Sequence, residues 1–136
     1  MYELDGKTAL VTGATRGIGE ASARALDAAG ARVILSGRTV SDLVRVAAEL
    51  ENEPITLEVD LSPAGAGTQH AEQVLEATGG EGVDIIVNNA GIPMRRTPET
   101  LSEEDFALVF SINVRSLLML TIGLAEPMKQ RGGGSI

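Results

Sequence analysis

The sequence predicts an α/β domain: a doubly wound parallel sheet with helices on both faces. Three observations carry that prediction. Short apolar runs alternate with stretches of helical periodicity along all 136 residues, in the order βαβαβαβα. Hydrophobic residues make up 43% of the chain but aromatics only 2%, so the core is assembled from Ala, Val, Ile and Leu. That palette suits buried parallel strands. A glycine-rich turn also stands between the first apolar run and the first helix.

The elements follow in order. Thr8-Ala9-Leu10-Val11 is a first buried strand. Gly17 to Ala29 is an Ala-rich helix, closed by Gly30 as its C-terminal cap. Arg32-Val33-Ile34-Leu35 is a second strand. Val40, Leu43, Val44, Ala47 and Leu50 then place one apolar face on a second helix. Ile55 to Val59 alternates with polar residues and ends at Asp60, a third strand. Residues 64–78 form a weaker helix, with two glycines in its first turn. Val83 to Val87 is a fourth strand. Ser102-Glu103-Glu104-Asp105 has the form of a capping box and opens a long helix that ends near Lys129. With right-handed crossovers the strand order is 3-2-1-4. No linker or repeat divides the chain, so residues 1–136 are expected to form one domain, incomplete at its C-terminal side.

Composition excludes several functions. There is no cysteine, which removes disulfide frameworks and thiolate metal sites. The single histidine, His70, argues against zinc, and its place on a weak helix predicts a surface position. No metal is expected. A net charge of −8 disfavours nucleic acid and anionic membranes as partners. Met1-Tyr2-Glu3-Leu4-Asp5 lacks the basic and apolar regions of a signal peptide, so the expected location is cytoplasmic. The apolar stretch from Phe106 to Ala125 is interrupted by Ser111, Asn113, Arg115 and Ser116, and reads as a buried helix rather than a membrane span.

Chemistry concentrates after the first strand, in Thr12-Gly13-Ala14-Thr15-Arg16-Gly17-Ile18-Gly19. A strand, a glycine turn and a helix start are the context a dinucleotide-binding loop requires, as in a Rossmann fold. Gly13 permits the turn, Gly17 admits a pyrophosphate, and Gly19 lets the helix pack close to the sheet. The helix N-terminus offers free N–H groups to an anion. A plain glycine turn with no ligand has the same composition, and the βαβ context argues against it.

The spacing is G-x-x-x-G-x-G, and with the preceding threonine it resembles the T-G-x-x-x-G-I-G signature of short-chain dehydrogenases/reductases. Three further motifs resemble the same family in the same order: Asp60 closing strand three with Leu61 beside it, Asn88-Asn89-Ala90-Gly91 after strand four, and Asn113 within Ser111-Ile112-Asn113-Val114. The resemblance covers nearly the whole chain. It implies that Thr12, Gly13, Thr15, Arg16, Gly17, Ile18, Gly19, Asp60, Leu61, Asn88, Ala90 and Gly91 belong to a nicotinamide-cofactor site. It also implies that Asn113 belongs to the catalytic set, holding a water.

Cofactor choice can be read from strand two. An NAD site places an acidic residue at its end. Here the end reads Leu35-Ser36-Gly37-Arg38, and the first carboxylate is Asp42, one helical turn later. Arg38 and Arg16 suit a 2′-phosphate, so NADP(H) is the expected cofactor. The plainer alternative is a pair of solvated surface arginines.

Carbonyl reduction needs a proton donor near the oxygen that gains negative charge. The resembling family supplies a Ser and a Tyr-x-x-x-Lys pair on strand five and the helix after it. This sequence reaches Gly134-Ser135-Ile136, where strand five should begin, and its one tyrosine is Tyr2. The 136-residue chain alone is therefore expected to be inactive, with strand four left as an unprotected edge. Two functions stay open: an NADP(H)-dependent oxidoreductase acting on an alcohol/carbonyl pair, or a non-catalytic NADP-binding module or sensor. For substrate, Asn88 to Pro98 resembles sugar-acid dehydrogenases, and Arg95 and Arg96 suit an anionic substrate or are simply solvated; a 3-oxoacyl thioester is the alternative. The long helix carries apolar residues on more than one face, which predicts a homo-oligomer, dimer or tetramer, with that helix at the interface.

Overall fold

Alternation along the strands divides the core in two. The computed structural model describes residues 3–136. The chain runs through β1 (Thr8–Thr12), α1 (Gly17–Ala28), β2 (Arg32–Gly37), α2 (Val40–Ala47), β3 (Ile55–Glu58), α3 (Ala66–Ala77) and β4 (Ile85–Val87). A long helix follows: α4 (Glu103–Phe110), a π-helical segment (Ser111–Ser116) and α5 (Leu117–Gln130). The strands pair in parallel in the order β3-β2-β1-β4, as the sequence predicts.

Leu10 on β1 lies level with Ile34 on β2 and Ile86 on β4. These three side chains share one sheet face and meet Val74 of α3 with Leu120 and Leu124 of α5. Val11, Val33 and Leu35 take the other face and meet Ala23 of α1 with Leu43 and Val46 of α2. Neighbouring residues on a strand point to opposite faces, so an unbroken apolar run buries both.

The helix ends follow local chemistry. After α1, Gly30 adopts φ +100°. Its N–H bonds Asp27 O at 2.8 Å, and Ala31 N–H bonds Leu26 O at 3.0 Å, a Schellman closure. At α4 the capping box forms: Ser102 Oγ accepts from Asp105 N–H at 3.1 Å, and the Asp105 carboxylate accepts from Ser102 N–H at 3.2 Å.

Three expectations need correction. His70 is fully buried, not a surface residue. One ring nitrogen bonds Ser36 Oγ at 2.7 Å and the other Gln73 Oε1 at 2.8 Å. The inner face of α3 is Ala66, Gly67, His70, Ala71 and Val74, too small and polar to read as an apolar stripe. Gly67 does not weaken that helix but lets it approach the π-helical segment: a Cβ there would collide with the Ser116 carbonyl.

The second correction concerns the long helix. Glu103–Gln130 is apolar and long enough to cross a membrane by length and composition alone. It is not buried throughout. Leu120, Leu124 and Met128 are buried in the core, whereas α4 buries no residue at all. Third, β4 does not have a bare outer edge. Ile86 N–H donates to Ser135 O at 2.9 Å and Ser135 N–H to Asp84 O at 3.0 Å, starting a parallel pairing on its free side.

Candidate cofactor site

The carboxyl ends of β1, β2 and β3 and the segment after β4 converge on one cavity of about 490 Å3. That size and position fit a ligand site of an open parallel sheet. The cavity is built from the glycine loop outward. Gly13 turns the chain at φ +62°, and a Cβ there would stand 2.9 Å from Asn89 Nδ2 and 3.1 Å from Ala90 Cα. Gly17, at φ +55°, faces open space, so backbone rather than side chain meets whatever enters. Gly19 lies beneath the turn, where a Cβ would overlap the Gly13 carbonyl. The first N–H groups of α1 have no intrahelical acceptor and are free to meet an anion.

Hydrogen bonds fix the loop to its neighbours. Ala14 N–H donates to Ser36 O at 3.1 Å, joining the loop to β2. Thr12 Oγ1 accepts from Asn89 N–H at 3.1 Å and Ala90 N–H at 3.0 Å. Asn89 Nδ2 returns bonds to Thr12 O at 3.1 Å and Gly13 O at 3.0 Å. Asn113 grips the next stretch from both sides: its Oδ1 accepts from Ile92 N–H and its Nδ2 donates to Ile92 O, each at 2.8 Å.

Charge around the cavity is unevenly committed. Arg16 and Arg38 both line it and are exposed. Among the described residues, neither guanidinium has a hydrogen-bond or ion-pair partner, whereas Arg24, Arg45, Arg96 and Arg131 all do. Asp60 also lines the cavity, and its Oδ1 accepts from Ser62 N–H at 2.9 Å. Hydrogen bonds from Ser62, backbone first, and the nearby charge of Arg38 hold its carboxyl below the usual range. Leu61 next to it is anchored by Ser116 Oγ, which donates to its carbonyl at 2.6 Å. No group of three or more His, Cys, Asp or Glu suited to a metal occurs among the described residues.

The structure gathers most of the residues expected from the sequence. Gly13, Thr15, Arg16, Gly17 and Ile18 line the cavity from the loop, and Arg38, Asp60 and Leu61 from the strand ends. Ala90 and Gly91 close the far side. Thr12, Gly19, Asn88 and Asn113 do not line it. Thr12, Gly19 and Asn113 shape the backbone behind it. Asn88 turns away to donate to Thr121 Oγ1 at 3.1 Å, and its buried Oδ1 has no partner. Asn89, Ser36, Asp42 and Ile112 line the cavity and were not expected to. Asn89 belongs to the Asn88-Asn89-Ala90-Gly91 motif, and its twin bonds to the glycine loop are visible only in three dimensions. Tyr2 lies outside the described residues.

Comparison with known proteins agrees with this geometry. The profile of the short chain dehydrogenase family matches residues 7–136. Nodulation protein G of Rhizobium sp. (strain N33) is 43% identical over 139 residues, spanning 100% of this chain and 55% of that protein. The 2-dehydro-3-deoxy-D-gluconate 5-dehydrogenase of Bacillus subtilis (strain 168) is 38% identical over 138 residues, spanning 99% of this chain and 53% of the other. The solved 3-oxoacyl (acyl-carrier-protein) reductase from Agrobacterium tumefaciens C58, with NADP bound, superposes with a TM-score of 0.87 at 37% identity. That match covers 98% of this chain and 53% of the reductase. The chain thus spans about half the length of these relatives.

Proposed function

The chain belongs to the short chain dehydrogenase family, and from that membership we propose that it is the cofactor-binding part of an NADP(H)-dependent oxidoreductase. The reaction is hydride transfer between nicotinamide and an alcohol/carbonyl pair. One observation carries the cofactor choice: two guanidinium groups without partners among the described residues, Arg16 and Arg38, line a glycine-walled cavity, and Arg38 stands where an NAD site would place a carboxylate. The NADP held by the Agrobacterium tumefaciens relative supports the same choice.

Gly17 leaves open space where a side chain would stand, the α1 N-terminus supplies unpaired donors, and the arginines supply positive charge. When bound, NADP(H) supplies or accepts the hydride. The loop from Gly13 to Gly19 receives the pyrophosphate, and Arg16 and Arg38 grip the 2′-phosphate. Asp60 and Leu61 border the adenine. Asn113 orients the backbone at Ile92 on the cavity wall. Among the described residues the titratable side chains lining the cavity are Arg16, Arg38, Asp42 and Asp60, so these residues bind and orient but include no tyrosine, lysine or histidine at the cavity to pass a proton. The isolated 136 residues are therefore proposed to bind without turnover.

The substrate proposed is a sugar acid or a 3-oxoacyl group, the two chemistries named in the relatives. Of the two arginines that suit an anion, Arg96 is engaged by Asp105 at 3.2 Å, which leaves Arg95 as the candidate. A second copy of the protein is proposed to cover the exposed Phe106, Phe110, Leu118 and Ile122, in the cytoplasm.

The test is a titration of the intact protein with NADPH and NADH. NADPH should bind more tightly, and Arg38→Asp should erase or reverse the preference. Loss of one charge-assisted contact corresponds to about tenfold or more in affinity. Equal affinity of the wild-type protein for both cofactors would falsify the assignment.

A further inference from the structure

We infer that Arg45, on α2 and outside the cavity lining, is the positioning residue that presets the glycine loop for the dinucleotide pyrophosphate. This rests on the cofactor reading above. Two contacts place Arg45 in that role. Its Nη2 donates to the carbonyl of Thr15, inside the loop, at 2.7 Å. The same guanidinium binds the Glu20 carboxylate through two nitrogens, at 3.1 and 3.3 Å.

The first contact acts on backbone direction. In a trans peptide the C=O and the following N–H point to opposite sides of one rigid plane. Holding Thr15 O toward α2 therefore fixes the direction of Arg16 N–H, and both residues line the cavity. Gly13 and Gly17, on either side, are the loosest positions in the loop, each in the left-handed region. A loop flanked by two such glycines loses less freedom on binding if its middle is already held.

The second contact acts on charge. Glu20 lies in the first turn of α1, the end that should receive an anion. A free carboxylate there would repel a pyrophosphate. Arg45 and Arg24 hold it ionised, with its pKa lowered to about 2, and both oxygens are occupied. Arg24 in turn binds Glu49, in the turn just after α2, at 2.6 Å. The network Thr15–Arg45–Glu20–Arg24–Glu49 thus ties the loop, α1 and α2 together. Arg45 is the side chain in it that touches the loop, bonding the Thr15 carbonyl while it holds Glu20 at the start of α1.

This role differs from that of Arg38. Arg38 should discriminate the 2′-phosphate; Arg45 should support the pyrophosphate that NADP and NAD share. The experiment compares wild type, Arg45→Met and Arg45→Lys in the intact protein. Dissociation constants for NADP+ and NAD+ are measured calorimetrically, melting temperature by differential scanning, and exchange of the Arg16 amide by NMR without ligand. Arg45→Met should raise both dissociation constants by roughly fivefold, leave their ratio unchanged and speed Arg16 exchange, with a small change in melting temperature; this is the discounted effect of a half-exposed charged contact. Arg45→Lys keeps the charge and one donor but not the fork, and should fall between. It carries the test alone if Arg45→Met does not fold. Unchanged affinities in both variants overturn the proposal, as does a loss confined to NADP+, which would make Arg45 a 2′-phosphate ligand. If the wild-type protein binds neither dinucleotide, the cofactor reading itself has failed.

Discussion

Replacing Thr12 with valine removes one oxygen from beneath the cavity and keeps nearly the same volume. Thr12 is 2% exposed, and its Oγ1 accepts from the backbone N–H groups of Asn89 and Ala90. Asn89 N–H also reaches the Val87 carbonyl at 3.0 Å, so among the described residues only Ala90 N–H depends on the hydroxyl alone. Each bond has an ordinary length, 3.1 and 3.0 Å, and a net value of about 1 kcal/mol. A donor left dry costs about 1–3 kcal/mol, but Asn89 and Ala90 are only half-buried, so water can reach part of the gap. The added methyl group returns less than about 0.8 kcal/mol. With one amide left without an acceptor and the other keeping Val87 O, the expected loss is about 1–2 kcal/mol of folding free energy, read by urea unfolding followed by circular dichroism. Thr12→Ser keeps the hydroxyl and should lose less than about 1 kcal/mol. If valine costs no more than serine, or less than about 0.5 kcal/mol, the Thr12 hydroxyl is not the joint between β1 and the segment after β4.

Two other perturbations follow from particular contacts. Burial pushes the His70 pKa below its ordinary value, so the fold holds the imidazole neutral. The stability this contributes is complete above the unfolded pKa of about 6.5 and is lost as pH falls through the folded value. Melting temperature should therefore fall more steeply from pH 7 to pH 5 in wild type than in His70→Gln; parallel slopes would remove His70 from the account. On the long helix, Leu118 and Ile122 are 51% and 55% exposed, while Leu117 is half-buried. Leu118→Lys with Ile122→Lys should lower the mass seen by light scattering without unfolding the chain, and an unchanged mass would place any subunit contact elsewhere.

The order of elements and the sheet topology were legible because both rest on periodicity and turn chemistry that neighbouring residues carry. The cavity was legible for the same reason: Gly13, Gly17, Arg38 and Asp60 each stand at a strand end or helix start, and the fold brings strand ends together. What escaped was decided by contacts between distant segments. His70 read as a surface residue because its helix face is built from alanine and glycine, and only the crossing with Ser116 and the hydroxyl of Ser36 explain its burial. Thr12 read as a cofactor ligand because it belongs to the motif, though its hydroxyl serves the backbone of a segment 77 positions away. Arg45 gave no signal at all, since one arginine on an exposed helix resembles any other until its partner carbonyl is located.

The π-helical turn at Ser111–Ser116 also changes the shape of the outer surface. On an α-helix four residues overshoot one turn by about 40°, so a stripe spaced by four winds around the axis. A π turn takes more residues, so there the same step falls short. Phe106, Phe110, Val114, Leu118 and Ile122 are spaced by four, and the π turn sits in the middle of that series. The overshoot on either side is offset at the centre, and the exposed apolar row runs straighter along the helix than an uninterrupted α-helix would carry it. A straighter ridge favours a second helix lying alongside over one crossing steeply. Winding the turn with α geometry at its present length would swing the two phenylalanines away from Leu118 and Ile122 by about 100°, splitting one long ridge into two short ones.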